Sequence, residues 1–117
     1  SPPDWRDFMV TGPEVRTLPE PWADRLREWR GIYMIIDETD GARYVGAAYG
    51  QENLLGRWKA HVSNHAGVTA DLRPRNPINF RFSILERVSP DAPANEVIDL
   101  ERSWMKRLHT IEYGLNR

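Results

Sequence analysis

The strongest constraint on the fold is a pair of short β-rich segments on either side of an Asp-Gly turn. Residues 31–38 read GIYMIIDE and residues 42–48 read ARYVGAA, and both are rich in β-branched and aromatic side chains. Such side chains suit a pleated, half-buried surface, and Thr-Asp-Gly between two such runs is a typical hairpin turn. The sequence therefore predicts two neighbouring antiparallel strands.

The length of the turn decides whether Tyr33 and Tyr44, one from each segment, lie on the same face of the sheet. Side chains alternate along a strand, so a two-residue Asp40-Gly41 turn would pair Asp37 with Tyr44 and place Tyr33 on the same side. A four-residue loop gives the same result, whereas a three-residue loop reverses it. We therefore expect the two phenols to share a face.

Further elements follow from the spacing of apolar residues. Apolar side chains three and four positions apart predict two amphipathic helices, and strict alternation predicts a third strand. These segments are residues 52–63 and 95–108 for the helices and residues 79–88 for the strand, with a loop over residues 64–79. The order β-β-α-β-α predicts an α+β fold with a small three-stranded antiparallel sheet flanked by helices.

Residues 1–30 form a separate segment that is rich in tryptophan and proline. It holds five of the nine prolines and three of the five tryptophans, and it predicts a short helix that begins near Pro21. Trp22, Leu26 and Trp29 would lie on one stripe of that helix. We expect residues 1–30 to be an extension that packs on a domain of residues 31–117. The alternative is an exposed apolar surface for a protein partner.

Composition excludes several classes of protein. The chain has no cysteine, which rules out disulfide frameworks, thiolate zinc sites and cysteine nucleophiles. It has no apolar run of membrane-spanning length and no secretory segment, so we expect no membrane partner and a cytoplasmic location. The net charge is −1, but residues 54–87 carry six Lys/Arg against two Asp/Glu. That block either forms a phosphate-binding face or, as we favour on charge alone, an ordinary solvated surface.

Two helical positions suggest chemistry. Glu101 comes four residues after Val97 and three before Trp104, so helical spacing places its carboxylate in or beside an apolar face. An unpaired carboxylate there is costly, and proteins pair it, protonate it or give it a metal. An ion pair with an arginine is an equally good explanation. On the preceding helix, Arg57 and His61 are four apart and so lie on one side.

Taken together, the motifs resemble the GIY-YIG endonuclease superfamily, and the nuclease module of phage-type homing endonucleases in particular. The resemblance covers about residues 31–116, and five motif elements in the same order make it specific. It rests on Gly31-Ile32-Tyr33, Tyr44-Val45-Gly46, Arg57-Trp58 with His61, Glu101 and Asn116. The family's fold is a small three-stranded antiparallel sheet with helices, as predicted above.

The resemblance implies hydrolysis of phosphodiester bonds in DNA with one divalent ion, Mg²⁺ or Mn²⁺. Tyr33 corresponds to the tyrosine that generates the attacking nucleophile with metal-bound water, and Tyr44 orients water or phosphate in the same site. Arg57 would bind the scissile phosphate and stabilise its developing charge. A free phenol has a pKa near 10 and is a poor base at neutral pH, so direct proton abstraction by Tyr33 is the least secure of these roles.

The other three matched positions complete the implied site. His61 stands where the family has His or Tyr and would transfer a proton or contact phosphate. Glu101 corresponds to the metal-binding glutamate, and magnesium can be held by one carboxylate together with a substrate phosphate. Asn116 corresponds to a C-terminal asparagine that supports the hydrogen bonding of the site.

The sequence departs from the family's pattern in two places. Many relatives carry a lysine shortly after the second tyrosine triplet, where this chain has Ala47 and Ala48. A polar residue after the first helix has no clear counterpart, and His65 is better explained as a surface histidine.

Two other functions compete with DNA cleavage. One is a catalytically degenerate module on the same fold that binds nucleic acid or protein. The other is an interaction domain that uses its tryptophans. DNA, single- or double-stranded, is the expected partner. Because the chain shows no zinc finger, helix-turn-helix or long basic tail, either a separate domain recognises the target or the chain cuts with little sequence preference.

Overall fold

The computed structural model describes residues 1–63 and 70–117, so the predicted surface role of His65 lies outside the described residues. Four strands and five helices make up the described part of the chain, with short 3₁₀ turns at Trp5–Asp7 and Pro77–Asn79. In chain order they are β1 (Met9–Thr11), α1 (Gly12–Arg16), α2 (Glu20–Glu28), β2 (Arg30–Asp37), β3 (Arg43–Ala48), α3 (Asn53–Ser63), β4 (Phe80–Val88), α4 (Ala94–Leu108) and α5 (Thr110–Tyr113). The described residues contain no helix that is long and apolar enough to cross a bilayer.

The sheet has four strands in the order β1-β4-β2-β3, and every pair is antiparallel. The prediction of three strands was therefore wrong. The additional strand, β1, comes from the segment predicted as a helical extension, and its Val10 lies opposite Phe82 of β4. Three residues are too few to give a strand period, so the sequence pattern alone could not identify β1.

The hairpin of β2 and β3 puts both tyrosines on one face, as predicted, but in a different register. Ile35 lies opposite Tyr44, and Asp37 donates its backbone N–H to Ala42, so the loop has four residues. A two-residue turn would have paired Asp37 with Tyr44, whereas the four-residue loop places Asp37 opposite Ala42. The carboxylate of Asp37 accepts hydrogen bonds from the backbone N–H and the hydroxyl of Thr39, at 2.9 and 2.6 Å. These bonds fold the chain into the turn immediately after Asp37.

Each face of the sheet carries its own apolar core. The larger core lies under α1, α2 and α3 and includes the fully buried side chains of Phe8, Leu26, Tyr33, Trp58 and Phe82. The smaller core lies under α4 and is formed by Ile32, Val45, Ala47, Ala92 and Val97, with Trp104 and Met105 packed against them. The sheet thus separates the tyrosine face from the face that α4 covers.

The tryptophans of the first 30 residues pack inward. The Phe8 ring lies 5.2 Å from the Trp22 ring and 5.6 Å from the Trp29 ring, between centroids, and Trp5 also packs against the larger core. This packing argues against an apolar docking surface built from these side chains. The division of the chain at residue 30 stays a prediction.

Candidate active site

Tyr33 and Tyr44 meet His61 on the buried face of the hairpin. The Tyr33 and Tyr44 ring centroids are 6.5 Å apart, and they lie 5.6 and 5.5 Å from the His61 ring. The Tyr33 hydroxyl is 2.6 Å from His61 Nε2, which is a short hydrogen bond. Helix α3 supplies His61 one turn after Arg57, so the predicted side-by-side placement of these two residues brings both to the phenols.

His61 is held neutral. Burial, and after it the positive charge of Arg57, lowers the pKa of His61 to about 3. Its second ring nitrogen, Nδ1, is buried and has no hydrogen-bond partner within the described ranges. A neutral imidazole that carries its proton on Nδ1 accepts at Nε2, so the Tyr33 hydroxyl can donate to it.

Tyr33 keeps its proton in the free protein. Burial is the main cause that raises the pKa of Tyr33, and the charge of Tyr44 acts in the same direction. Arg57 opposes the rise through its positive charge and through a hydrogen bond to the phenol, but it does not outweigh burial. A phenol in this state donates or accepts hydrogen bonds and is a poor proton acceptor.

Arg57 connects the buried phenols to the surface. Its pKa is raised first by the negative charge that Tyr33 would carry if it ionised, against the effect of burial, and further by hydrogen-bonding interactions with Tyr33 and Tyr44. The guanidinium therefore stays charged throughout the working pH range. It is half-buried, with one side toward the tyrosines and the other lining an open cleft.

Glu101 faces the same cleft from α4. Its side chain is partly exposed at the border of the apolar face, as the helical spacing predicted. Burial raises the pKa of Glu101, while the charges of Arg57 and Arg102 and a hydrogen bond from the Ala47 backbone lower it. No ion pair within 4.0 Å involves Glu101 in residues 1–63 and 70–117, so the described partners do not neutralise its carboxylate.

The cleft itself has a volume of about 300 Å³. Its lining residues are Ala47, Tyr49, Gly50, Arg57 and Glu101. A depression of about 290 Å³ elsewhere is lined by Gly12, Pro13, Arg16, Asn76, Pro77 and Ile78. Arg16 is the single ionisable side chain in the lining of that depression, so it offers fewer groups for catalysis than the cleft of Arg57 and Glu101. Sequence reasoning missed Tyr49, whose only signal is an aromatic side chain directly after the otherwise buried strand β3.

Asn116 is brought to the hairpin but not to the cleft. Its side-chain carbonyl accepts from the Val45 N–H at 2.8 Å, and its amide donates to the Val45 carbonyl at 3.0 Å. The backbone of Leu115 also donates to the Arg43 carbonyl at 2.8 Å. Asn116 therefore pairs with the outer edge of β3 as a neighbouring strand would, and it fixes the strand that carries Tyr44.

The donor set of the site suits a hard cation that shares its ligands with a substrate. The described residues contain no group of three His, Cys, Asp or Glu side chains that could enclose a metal ion. Glu101 alone supplies a carboxylate to the cleft. Magnesium is commonly held by one or two carboxylates together with substrate phosphates and waters, so this donor set fits such an ion.

We expect the buried neutral His61 to make the protein acid-sensitive. Above about pH 6.5 the residue is neutral in both the folded and the unfolded chain, so it contributes no pH dependence. Below that value the unfolded chain binds a proton that folded His61 does not accept until about pH 3. The free energy of unfolding should fall as the pH drops through this window, by up to about 1.4 kcal/mol per pH unit.

Urea denaturation between about pH 7.5 and about pH 5 tests this expectation, because few carboxylates titrate there. His61→Gln should flatten the dependence by up to about one proton. His109→Gln is the matched control, since His109 lies at the exposed C-terminal cap of α4. If the wild type and His61→Gln show equal slopes, the proposed burial of a neutral imidazole is incorrect.

Comparison with known proteins agrees with this geometry. Residues 30–114 match the family model described as the GIY-YIG catalytic domain. Among solved structures, the chain is similar to the catalytic domain of homing endonuclease I-TevI, with 26% identity, a TM-score of 0.57, and coverage of 74% of this chain and 96% of that one. A mutant of the catalytic domain of intron endonuclease I-TevI gives 27% identity, a TM-score of 0.59, and coverage of 75% and 92%.

No curated protein matches the chain significantly. The family match spans well over half of the sequence, however, and begins at the first residue of β2. Residues 1–29, which contain β1, lie outside it. The chain therefore belongs to the GIY-YIG family of phosphodiester-hydrolysing endonucleases.

Proposed function

We propose that this domain cleaves DNA by hydrolysis of a phosphodiester bond that depends on one divalent ion, Mg²⁺ or Mn²⁺, held by Glu101. The observation that carries the proposal is the cleft in which an unneutralised carboxylate and a charged guanidinium face each other above two buried tyrosines. A carboxylate can hold a divalent ion, and a fixed cation can stabilise the negative charge that develops during phosphodiester hydrolysis.

Arg57 is proposed to bind the scissile phosphate. Its guanidinium lies beside the phenols before substrate arrives, because Tyr33 and Tyr44 interact with its buried side. A cation that needs no reorganisation can stabilise the extra negative charge of the pentavalent transition state. Its planar donor fork also suits two phosphate oxygens at once.

Glu101 is proposed to hold the divalent ion on the opposite wall of the cleft. When bound, such an ion would lower the pKa of water and neutralise charge on the phosphate. Burial raises the pKa of Glu101, and the charges of Arg57 and Arg102 and a hydrogen bond from the Ala47 backbone oppose the rise. Arg57 would then contact the phosphate directly, and Glu101 would act on it only through the ion that it would hold.

Tyr33, Tyr44 and His61 are proposed to support the attack of water. The raised pKa of Tyr33 supports hydrogen bonding and disfavours proton removal by this phenol in the free protein. His61, neutral and 2.6 Å from the Tyr33 hydroxyl, fixes the direction of that hydroxyl. Asn116 has a supporting role, because it holds the strand from which Tyr44 projects. Target choice is proposed to come from a separate domain.

The proposal is tested by cleavage of supercoiled plasmid and of a labelled single-stranded oligonucleotide. We expect cutting with Mg²⁺ or Mn²⁺, loss of cutting in EDTA and recovery when Mg²⁺ is added back. The substrate that is cut faster shows whether the domain prefers double-stranded or single-stranded DNA. Cutting that persists in EDTA would refute the metal dependence. DNA binding without cutting under any metal would instead favour a catalytically degenerate module.

A further inference from the structure

A second cleft adjoins the catalytic one and shares its carboxylate. It has a volume of about 190 Å³, and its lining residues are Glu101, Arg102, Met105, Lys106, Ile111 and Arg117. Glu101 also lines the catalytic cleft on the Arg57 side. A linear ligand that crosses Glu101 therefore passes from one cleft directly into the other.

The cations of the second cleft differ in whether a carboxylate already neutralises their charge. Arg117 binds Asp71 through two nitrogens, at 2.8 and 3.1 Å, so its charge is already neutralised. Arg102 and Lys106 are exposed, and no carboxylate of the described chain lies within 4.0 Å of either. They are four residues apart, so they occupy the same side of α4 and repel each other.

Two cations of the basic block of residues 54–87 are already neutralised by carboxylates. Arg75 is paired with Asp37 at 3.1 Å and with Asp40 at 2.9 Å. Arg81 is paired with Glu38 at 2.8 Å. Arg75 and Arg81 therefore stabilise the hairpin loop. Beside the catalytic cleft, Arg102 and Lys106 on α4 add exposed positive charge that no described carboxylate neutralises.

We propose that Arg102 and Lys106 bind the backbone phosphates next to the scissile one, so that the substrate strand crosses Glu101 and follows α4. The two side chains are separated by a rise of about 6 Å along the helix. Successive phosphates of one strand advance by about 3.4 Å along a duplex axis, so the pair spans about two nucleotides. A phosphate between the two cations removes their repulsion. This inference rests on the proposed DNA substrate.

The test compares two variants with a matched control that loses the same charge. Lys106→Gln and Arg102→Gln remove the proposed contacts. Arg107→Gln removes an adjacent charge on the same helix, but the Arg107 guanidinium lies 3.9 Å from the centre of the Trp104 ring and does not line the second cleft. Circular dichroism melting checks that each exposed substitution leaves the fold intact.

Binding of a fluorescent oligonucleotide is measured by anisotropy in EDTA from about 50 to about 200 mM salt. Each cleft variant should reduce the slope of log K against log[salt] by about 0.9 for duplex or about 0.7 for single-stranded DNA. Arg107→Gln should retain the wild-type slope. With metal present, the cleft variants should raise KM and leave kcat close to the wild-type value.

Equal reductions of the salt slope in all three variants would mean that DNA binding depends only on the net charge of the protein. That result would overturn the proposed strand path. Unchanged slopes in the cleft variants, or an absence of wild-type binding, would overturn it as well. Because binding is measured without hydrolysis, a protein that binds as expected but does not cut would contradict the proposed catalysis alone. A protein that cuts with unchanged slopes would contradict this path alone.

Discussion

Glu101→Gln should lower the single-turnover rate of DNA cleavage by about a thousandfold, which corresponds to the loss of a main electrostatic contribution to the transition state. Glutamine keeps the size of the side chain and an acceptor for the Ala47 N–H, but it removes the charge that a divalent ion requires. The substitution also removes a negative charge from the border of two basic clefts. DNA affinity in EDTA should therefore stay equal or increase.

The pair of measurements, rate and affinity, separates a catalytic role from a structural one. Glu96→Gln is the matched control, because Glu96 lies exposed in the first turn of the same helix, and it should cut at the wild-type rate. A misfolded Glu101→Gln protein would lose affinity as well as rate. A Glu101→Gln protein that cuts within about tenfold of the wild type would exclude this carboxylate as the metal ligand.

The alternation of strand side chains was enough to predict the shared face of the tyrosines, because loops of two and four residues give the same parity. It was not enough for the register, which depends on the hydrogen bonds of Asp37 to Thr39. The spacing along α4 likewise placed Glu101 correctly at the border of the apolar face. Local periodicity thus predicts the direction of a side chain better than its partner.

Features made by distant parts of the chain were not predictable. Strand β1 is defined by its pairing with β4, about 70 residues later, and three residues carry no period of their own. Tyr49 lines the cleft because the chain leaves β3 beside Glu101, which no local pattern records. Tyr113 near the C-terminus is 86% exposed. Its exposure follows from α5, a four-residue helix that the sequence did not indicate.

Gly46, the glycine of the second tyrosine triplet, has almost no room for an added side chain. It lies opposite Tyr33 in the hairpin, and a Cβ added there would be 2.4 Å from the Tyr33 Cζ and hydroxyl oxygen. Tyr33 cannot move aside, because its ring is fully buried between Trp58, Tyr44 and His61. Gly46→Ala should therefore destabilise the protein by about 1–3 kcal/mol through overpacking.

The same substitution should lower cleavage by about a hundredfold, because small displacements of catalytic groups are costly. A shifted ring carries the Tyr33 hydroxyl away from His61 and releases the buried side of Arg57. Gly50→Ala is the matched control, since Gly50 lines the cleft and an added Cβ there meets no atom within 4 Å. Denaturation curves and cleavage rates of both variants would be compared.

Tyr33→Phe separates the two effects of Gly46→Ala, because it removes the hydroxyl while the ring stays in place. Gly46→Ala is expected to lose as much activity as Tyr33→Phe and, in addition, to be less stable because of overpacking. That combination would show that a glycine at position 46 is needed for the Tyr33 ring to fit. If Gly46→Ala instead behaves like Gly50→Ala in both measurements, the hairpin can accommodate the added methyl group. The position of the Tyr33 hydroxyl would then not be set by the backbone of β3, and the orientation of Arg57 would have to depend on Tyr44 and α3 alone.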